Sequence, residues 1–260
     1  MNPLDHYPIL AALGGAFALA FLVWILSVVR RDVSIVDAAW SLLIVLCAAI
    51  YWFLIPSHGQ RAGLVMALAG LWAVRLALHI GIRSWGEPED RRYREIRARN
   101  EPNFQWKSLY LVFFLQAVLA WIVSFSLIGA LAGDRSLNWL DYVGALIVLI
   151  GVGTESIADW QLSRFQARGD SAGHVMDEGL WRYTRHPNYF GEFIAWWGFY
   201  LISLAAGSFW WSILSPLLMS VLLLRVSGVT LLEKDISSRR PGYADYVQRT
   251  NAFFPGLPRS

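Results

Sequence analysis

The sequence predicts an all-α polytopic membrane protein of seven transmembrane helices, and three observations carry that prediction. Hydrophobic residues make up 56% of the 260-residue chain, fourteen of them tryptophan, against 16% charged, and the mean hydropathy is +0.43. An ordinary soluble domain does not have that balance. Seven apolar runs of about the spanning length follow one another, at residues 9–29, 35–55, 62–82, 108–131, 140–158, 189–206 and 209–229. Threaded alternately, they put nineteen of the 22 Lys and Arg residues on one side, Arg61 and Arg135 on the other, and Arg75 inside the third run. By the positive-inside rule the crowded side is cytoplasmic, with the N-terminus outside and the C-terminus inside. So little chain separates the runs that residues 1–260 are expected to form one membrane-embedded domain. The one-sided basic surface accounts for the net charge of +3 without nucleic acid.

The first eight residues carry Asp5 and no Lys or Arg, and no small-residue cleavage site follows. The first run is therefore expected to be a retained helix, not a signal peptide, and it offers no chemistry. The second begins Ser34-Ile35-Val36-Asp37-Ala38-Ala39-Trp40-Ser41, which places a carboxylate one turn into hydrocarbon-like sequence. An ionisable group there is a functional candidate; the plain alternative is a helix start capped by Asp32 or Ser34, with Asp37 favouring its positive end. Cys47, the single cysteine, excludes intramolecular disulfides and thiolate metal clusters and reads as packing. In the third run Arg75 and His79 lie four apart and should face the bundle interior or water, with Asp37 or a ligand phosphate as the anion for the arginine. The loop that follows, Glu89-Asp90-Arg91-Arg92-Tyr93-Arg94-Glu95-Ile96-Arg97, reads as an amphipathic surface helix with i,i+4 ion pairs. Tyr93 and Arg97, one turn apart, also suit an aromatic stack with a phosphate contact. The fourth run carries Gln116 and little else.

The fifth run ends Gly151-Val152-Gly153-Thr154-Glu155-Ser156-Ile157-Ala158-Asp159, where Glu155 and Asp159 repel unless hydroxyls, amides or arginines occupy them. A metal site is not expected, because no His-x-x-Glu repeat or second acidic pair matches this one. A turn at Gly169-Asp170-Ser171-Ala172-Gly173 then starts a loop expected to fold over the site. That loop leads into Arg185-His186-Pro187-Asn188-Tyr189-Phe190-Gly191-Glu192. Pro187 suits the first turn of a helix. Asn188 and Glu192 then share a face and converge on one ligand, while Arg185 and His186 are expected at a solvent or phosphate-rich edge. The seventh run is expected to be interrupted at Pro216 and to project as a polar extension through Glu233-Lys234-Asp235. The tail, with Arg239-Arg240-Pro241-Gly242-Tyr243-Ala244-Asp245-Tyr246 and Asn251-Ala252-Phe253-Phe254-Pro255, reads as a docked cap or, in its plainer form, a basic tail on anionic lipid.

The run from Gly179 to Glu192, the Glu155-x-x-x-Asp159 pair and Tyr243-Ala244-Asp245-Tyr246 resemble the C-terminal catalytic domain of the steroid 5-alpha-reductase family. Within that family the chain looks like the bacterial branch, which shares the Ser-x-Val-Asp-x-x-Trp-Ser element at Ser34 and the Asp-x-Arg-Tyr element at Asp90. Arg-His-Pro-x-Tyr-x-Gly also occurs in sterol reductases and in isoprenylcysteine and phospholipid methyltransferases. The resemblance implies a seven-helix, monomeric enzyme of the bacterial inner membrane, its active site open to the cytoplasm. It would take NADPH and reduce the delta-4 double bond of a 3-oxo steroid or similar lipid, with hydride passing to carbon 5. Substrate-side helices would fall at about residues 1–131 and a cofactor-binding core at about 140–260. Asp37 would bind the steroid carbonyl where other members place a Gln-Glu pair, with Trp40 and Trp196 lining the pocket. The family's carbonyl-polarising tyrosine falls near Leu76, which leaves Tyr51, His79 and Asp37 as candidate proton donors.

Asn188 and Glu192 would hold the nicotinamide end of the cofactor, with Glu155 and Asp159 beside them. Arg75, Tyr93, Arg97, Arg164, Tyr183, Arg185, His186, Asp245 and Tyr246 complete the expected cofactor set. No Gly-x-Gly-x-x-Gly on a β-α-β unit is present, so a dinucleotide would depend on side chains from helices and loops. The basic side suits the phosphates of NADPH better than the sulfonium of S-adenosylmethionine. Methyl transfer to a lipid or prenyl-cysteine and non-catalytic lipid binding or transport are the two other readings.

Overall fold

A computed structural model describes residues 7–56, 58–168, 173–207, 209–226 and 242–259, which are helical apart from short connections, with no strand among them. Among the described residues five helices are long and apolar enough to cross a membrane: α1 (Tyr7–Arg30), α2 (Ile35–Leu54), α3 (Gln60–Ser84), then, after the surface helix α4 (Arg91–Asn100), α5 (Phe104–Leu131) and α6 (Trp139–Gln166). The sixth expected run forms α7 (Pro187–Ala205), and the described part of the seventh forms α8 (Trp210–Arg225). A last short helix, α9 (Tyr243–Arg249), precedes the tail. The Gly169 to Ala172 turn, the extension at Glu233-Lys234-Asp235 and the Arg239-Arg240-Pro241 segment lie outside the described residues.

Pro216 does not interrupt its helix. A tight turn over Trp210–Ile213 leads into Leu214–Val221, so the proline occupies the first α-helical turn, where its missing N–H costs no hydrogen bond.

The chain divides into two compact units, Met1–Asp141 with Ile202–Ser215, and Tyr142–Leu201 with Pro216–Ser260. In the first, α1 packs on α2, α2 on α3, and α5 against both α1 and α2. The packed stripe of α1 is Ala12, Ala16, Ala20 and Trp24, four residues apart and all buried, so small side chains let the neighbouring backbone approach. The exposed Leu10, Phe21, Leu22 and Val29 make the rest of α1 as apolar as a lipid-facing surface. Two indoles tie the helices together across this apolar packing: Trp24 Nε1 donates to the Gln105 carbonyl at 2.8 Å and Trp121 Nε1 to that of Ile9 at 2.9 Å. Helix α5 widens into a π turn over Leu109–Phe114 and breaks at Ser124, whose hydroxyl returns to the Trp121 carbonyl and meets the Tyr51 hydroxyl at 2.8 Å.

In the second unit α6 and α7 run antiparallel along a glycine seam. A Cβ on Gly151 would fall 2.6 Å from the Gly191 carbonyl oxygen, one on Gly191 2.7 Å from that of Gly151, and one on Gly198 2.7 Å from that of Gly144. Backbone that close tolerates no side chain at these crossings. Beyond α6 the chain folds back, so that Met176 and Trp181 pack on Ala158 and Phe165, with Leu162 and Leu180 beside them.

Candidate functional site

In the first unit the site forms where the start of α2 meets the start of α4. Glu89 accepts the Val33 N–H at 2.9 Å, and the Ser34 hydroxyl accepts the Asp90 N–H at 3.2 Å. Ser34 itself donates to Asp32 through both its N–H and its hydroxyl, so neither caps α2 with a side-chain bond to a helical N–H. Asp90 caps α4, accepting the Arg92 N–H at 2.9 Å. These bonds hold Arg92 and Tyr93 over the first turn of α2. Arg92 Nη2 lies 2.7 Å from Asp37 Oδ2, and the Tyr93 hydroxyl donates to Asp37 Oδ1 at 2.6 Å. Gln116 Nε2 donates a long hydrogen bond to the Tyr93 hydroxyl at 3.4 Å. The side chains of Asp37 and Arg92 stay 22% and 31% exposed, so the cluster is open to a ligand.

The electrostatics follow from these contacts. Burial, then the Asp37 carboxylate, pushes the Tyr93 phenol well above its ordinary range, so it stays protonated as a hydrogen-bond donor. Burial also pushes Asp90 up, but the side-chain and backbone hydrogen bonds from Arg92 more than offset it and leave that carboxyl below the usual range. Arg97 is raised by its hydrogen bond to Glu89: its fork takes both Glu89 oxygens, at 3.0 and 2.7 Å, and lies over the Phe104 ring. Tyr93 and Arg97, expected together on a phosphate, turn here to separate carboxylates of the protein. The Glu89 carboxylate, seldom exposed at 9%, satisfies the arginine, and the phenol turns to Asp37.

The other candidates of this unit lie on α2 and α3. Trp40, three residues beyond Asp37 on α2 and so on the same side of that helix, is half-buried. Tyr51 is fully buried against Ser124 and, fourteen residues along the same helix, stands roughly 21 Å from Asp37. Arg75 and His79 lie one turn apart on α3, both half-buried.

In the second unit the glycine seam brings α6 and α7 carboxylates and amide together. Asn188 Nδ2 donates to Asp159 Oδ1 at 3.1 Å, and a Cβ on Gly191 would fall 2.8 Å from Glu155 Cγ. Glu192 Oε1 accepts the indole N–H of Trp196, one turn on, at 2.9 Å, with both side chains buried. Gly179 (φ +59°) combines a left-handed conformation with contact against Gln161, whose Oε1 accepts the Leu180 N–H at 3.0 Å. Arg164 is exposed and lies over the Trp160 ring at 5.4 Å. Tyr183 and Asp245 are exposed, while Tyr246 is buried and donates to the Trp181 carbonyl.

Arg185 and His186 do not occupy the expected edge. Arg185 is 8% and His186 5% exposed. Arg185 Nη1 donates to the carbonyls of Thr250 at 2.6 Å and Val247 at 3.3 Å, at the end of α9, where helical carbonyls lack an intrahelical partner. The tail covers both residues: the Arg185 N–H reaches Asn251, Thr184 donates to the Phe253 carbonyl, and Phe253 packs on Phe190 and Phe193.

Two features lay beyond the sequence reading. Arg61 and Asp141 form a sealed ion pair at 2.6 Å in the first unit, where the count of basic residues gives Arg61 only a side of the membrane. The seam itself had a signal, since Gly144 and Gly151, and Gly191 and Gly198, are both spaced by seven.

A family described as protein of unknown function, DUF1295, matches residues 23–250. The chain belongs to this family. It is also 26% identical over 295 residues to an uncharacterized protein, C594.04c, of Schizosaccharomyces pombe, covering 100% of this chain and 84% of that protein. No solved structure matches the chain.

Proposed function

We propose that the protein is a membrane-bound, NADPH-dependent reductase of the conjugated double bond in a 3-oxo-delta-4 steroid or a similarly shaped lipid enone. The observation that carries this reading is the meeting of Ser34-x-x-Asp37 with Asp90-x-Arg92-Tyr93, two elements 55 residues apart in sequence, at one half-open point that holds a protonated phenol beside an arginine-paired carboxylate. Such a point is suited to a carbonyl oxygen on which negative charge develops.

Asp37 accepts from both neighbours, so its role is to orient Tyr93 and not to donate a proton itself. An entering carbonyl takes the hydrogen bond of the Tyr93 hydroxyl, while Arg92 holds the Asp37 carboxyl in place. NADPH, when bound, supplies the hydride that adds to carbon 5. Electrons of the double bond move to the carbonyl oxygen, where Tyr93 stabilises the enolate, and water returns a proton to carbon 4. The side-chain chemistry of the second unit fits the nicotinamide end: Asn188 donates and accepts, and Asp159 and Glu192 accept, as a carboxamide requires. It fits the phosphate end less well, because Arg185 is committed to tail carbonyls; Arg164 is the exposed arginine of the expected set there.

The reading includes seven spans with α7 and α8 as the last two, the N-terminus outside and the C-terminus inside, in a bacterial inner membrane, with a monomer as the working unit. The one-sided distribution of basic residues supports that orientation.

Detergent-purified protein should oxidise NADPH only when a 3-oxo-delta-4 steroid is present. Tyr93→Phe should cut that turnover by about 10² or more, the scale of one lost oxyanion donor. Asn188→Ala and Glu192→Ala should each weaken NADPH binding, read by calorimetry, about tenfold. Methyl transfer from S-adenosylmethionine with no nucleotide oxidation would replace this reading by the methyltransferase one.

A further inference from the structure

A cavity of about 660 Å³ opens within the second unit, between the connection after α6 and the end of the chain. Its size is that of a small-ligand site. Three arginines line it: Arg182, just before the Arg-His-Pro-Asn element, Arg249, the last residue of α9, and Arg259. Backbone bonds bring them together. The Arg259 N–H donates to the Arg249 carbonyl at 2.9 Å, and the Gly256 N–H to the Tyr183 carbonyl at 3.0 Å, so the tail is pinned beside the connection. Tyr246 forms part of the floor, held by its hydroxyl on the Trp181 carbonyl.

The protein's own carboxylates answer this positive charge only in part. Asp177 lies 3.6 Å from Arg249, while Glu178, also in the lining, pairs with Arg168 outside it at 3.2 Å. Arg259 makes one long contact, 3.4 Å to Asn251. Among the described residues the Arg182 side chain has no ion pair and no hydrogen bond, although it shares the cavity with two other guanidinium groups. Like charges gathered by backbone bonds repel unless an anion joins them.

We propose that this cavity binds a phosphate-bearing small molecule, with the Arg182, Arg249 and Arg259 guanidinium groups on the phosphate and the Asp177 and Glu178 carboxylates accepting from hydroxyls of the attached group. Planar guanidinium forks match phosphate oxygens in geometry as well as charge. A sugar phosphate of a soluble nucleotide and the phosphoglycerol headgroup of a membrane lipid both carry that chemistry. The inference does not depend on the reductase reading, since none of the three arginines belongs to the residues assigned to it.

The test is native mass spectrometry of the full chain in detergent, titrated separately with ADP and with dioleoyl phosphatidylglycerol, comparing wild type with Arg182→Gln and with Arg182→Gln/Arg259→Gln. Wild type should bind one equivalent of at least one probe, weakened about tenfold or more in the double variant and less in the single. The melting temperature without probe should be nearly unchanged, because the one Arg259 side-chain contact is long and exposed. Loss of ADP binding assigns a soluble source; loss of phosphatidylglycerol binding with ADP never bound assigns the lipid. Binding of neither probe, or equal binding by wild type and double variant, overturns the proposal.

Discussion

Two of the arginine–aspartate pairs in the first unit, Arg61–Asp141 and Arg92–Asp37, are of nearly equal length and opposite character. Arg61 and Asp141 approach to 2.6 Å with both side chains 0% exposed, and the guanidinium also reaches the carbonyls of Arg135, Ser136 and Ala205. Asp141 in turn accepts the Asn138 N–H. Arg92 and Asp37 approach to 2.7 Å but remain 31% and 22% exposed, and the third partner is a phenol that can change its acceptor. A sealed pair saturated by backbone carbonyls has no room for a ligand and fixes the ends of three segments. An open pair can exchange one hydrogen bond for a substrate's. Charge alone therefore does not mark a site; the solvent access of its partners does.

The largest expected effect breaks the sealed pair. Asp141→Ala leaves a buried guanidinium uncompensated and should cost about 3–5 kcal/mol of stability, measured by chemical unfolding in detergent. Asp37→Ala, at the open pair, should cost about 1 kcal/mol or less. Equal losses would erase the distinction between the two.

The next effect is on turnover. Asp37→Asn keeps the shape but weakens the hold on Arg92 and Tyr93, and should lower steroid-dependent NADPH oxidation by about 10² while NADPH affinity stays within a factor of about two. A normal rate would return Asp37 to the role of a helix-end charge.

The smallest effect is a pH dependence of the open region. The folded-state value of Asp90 is depressed, so its contribution is present above the unfolded value of about 3.9 and is lost as the pH falls through the folded value. Acid titration should loosen the start of α4 first, seen as faster hydrogen exchange at Arg92 and Tyr93, and Asp90→Ala should remove that acid-dependent step. A step that survives the substitution would assign it to another carboxyl.

Much of the helical framework was legible. Apolar runs gave α1, α2 and α3 nearly to their ends because spans need continuous hydrophobic sequence, and i,i+4 charges gave α4, where Glu95 does lie near Arg91 and Arg99. Pro187 marked the start of α7. The partners were not legible. Arg185 reads as a phosphate ligand until the α9 carbonyls are beside it, and Tyr93 reads as a stacking surface until Asp37 accepts its hydrogen bond.

The sequence by itself determined the helical class, the membrane-compatible runs and the short list of polar residues, because those depend on composition and on neighbours within one or two turns. Only the tertiary structure decided which arginine is sealed against Asp141 and which is exposed beside Asp37, how closely Gly151 and Gly191 approach, and which tail residues bury Arg185 and His186. Each of those depends on contacts between residues tens of positions apart, and the strength of a charge or hydrogen bond is set by the burial such contacts create.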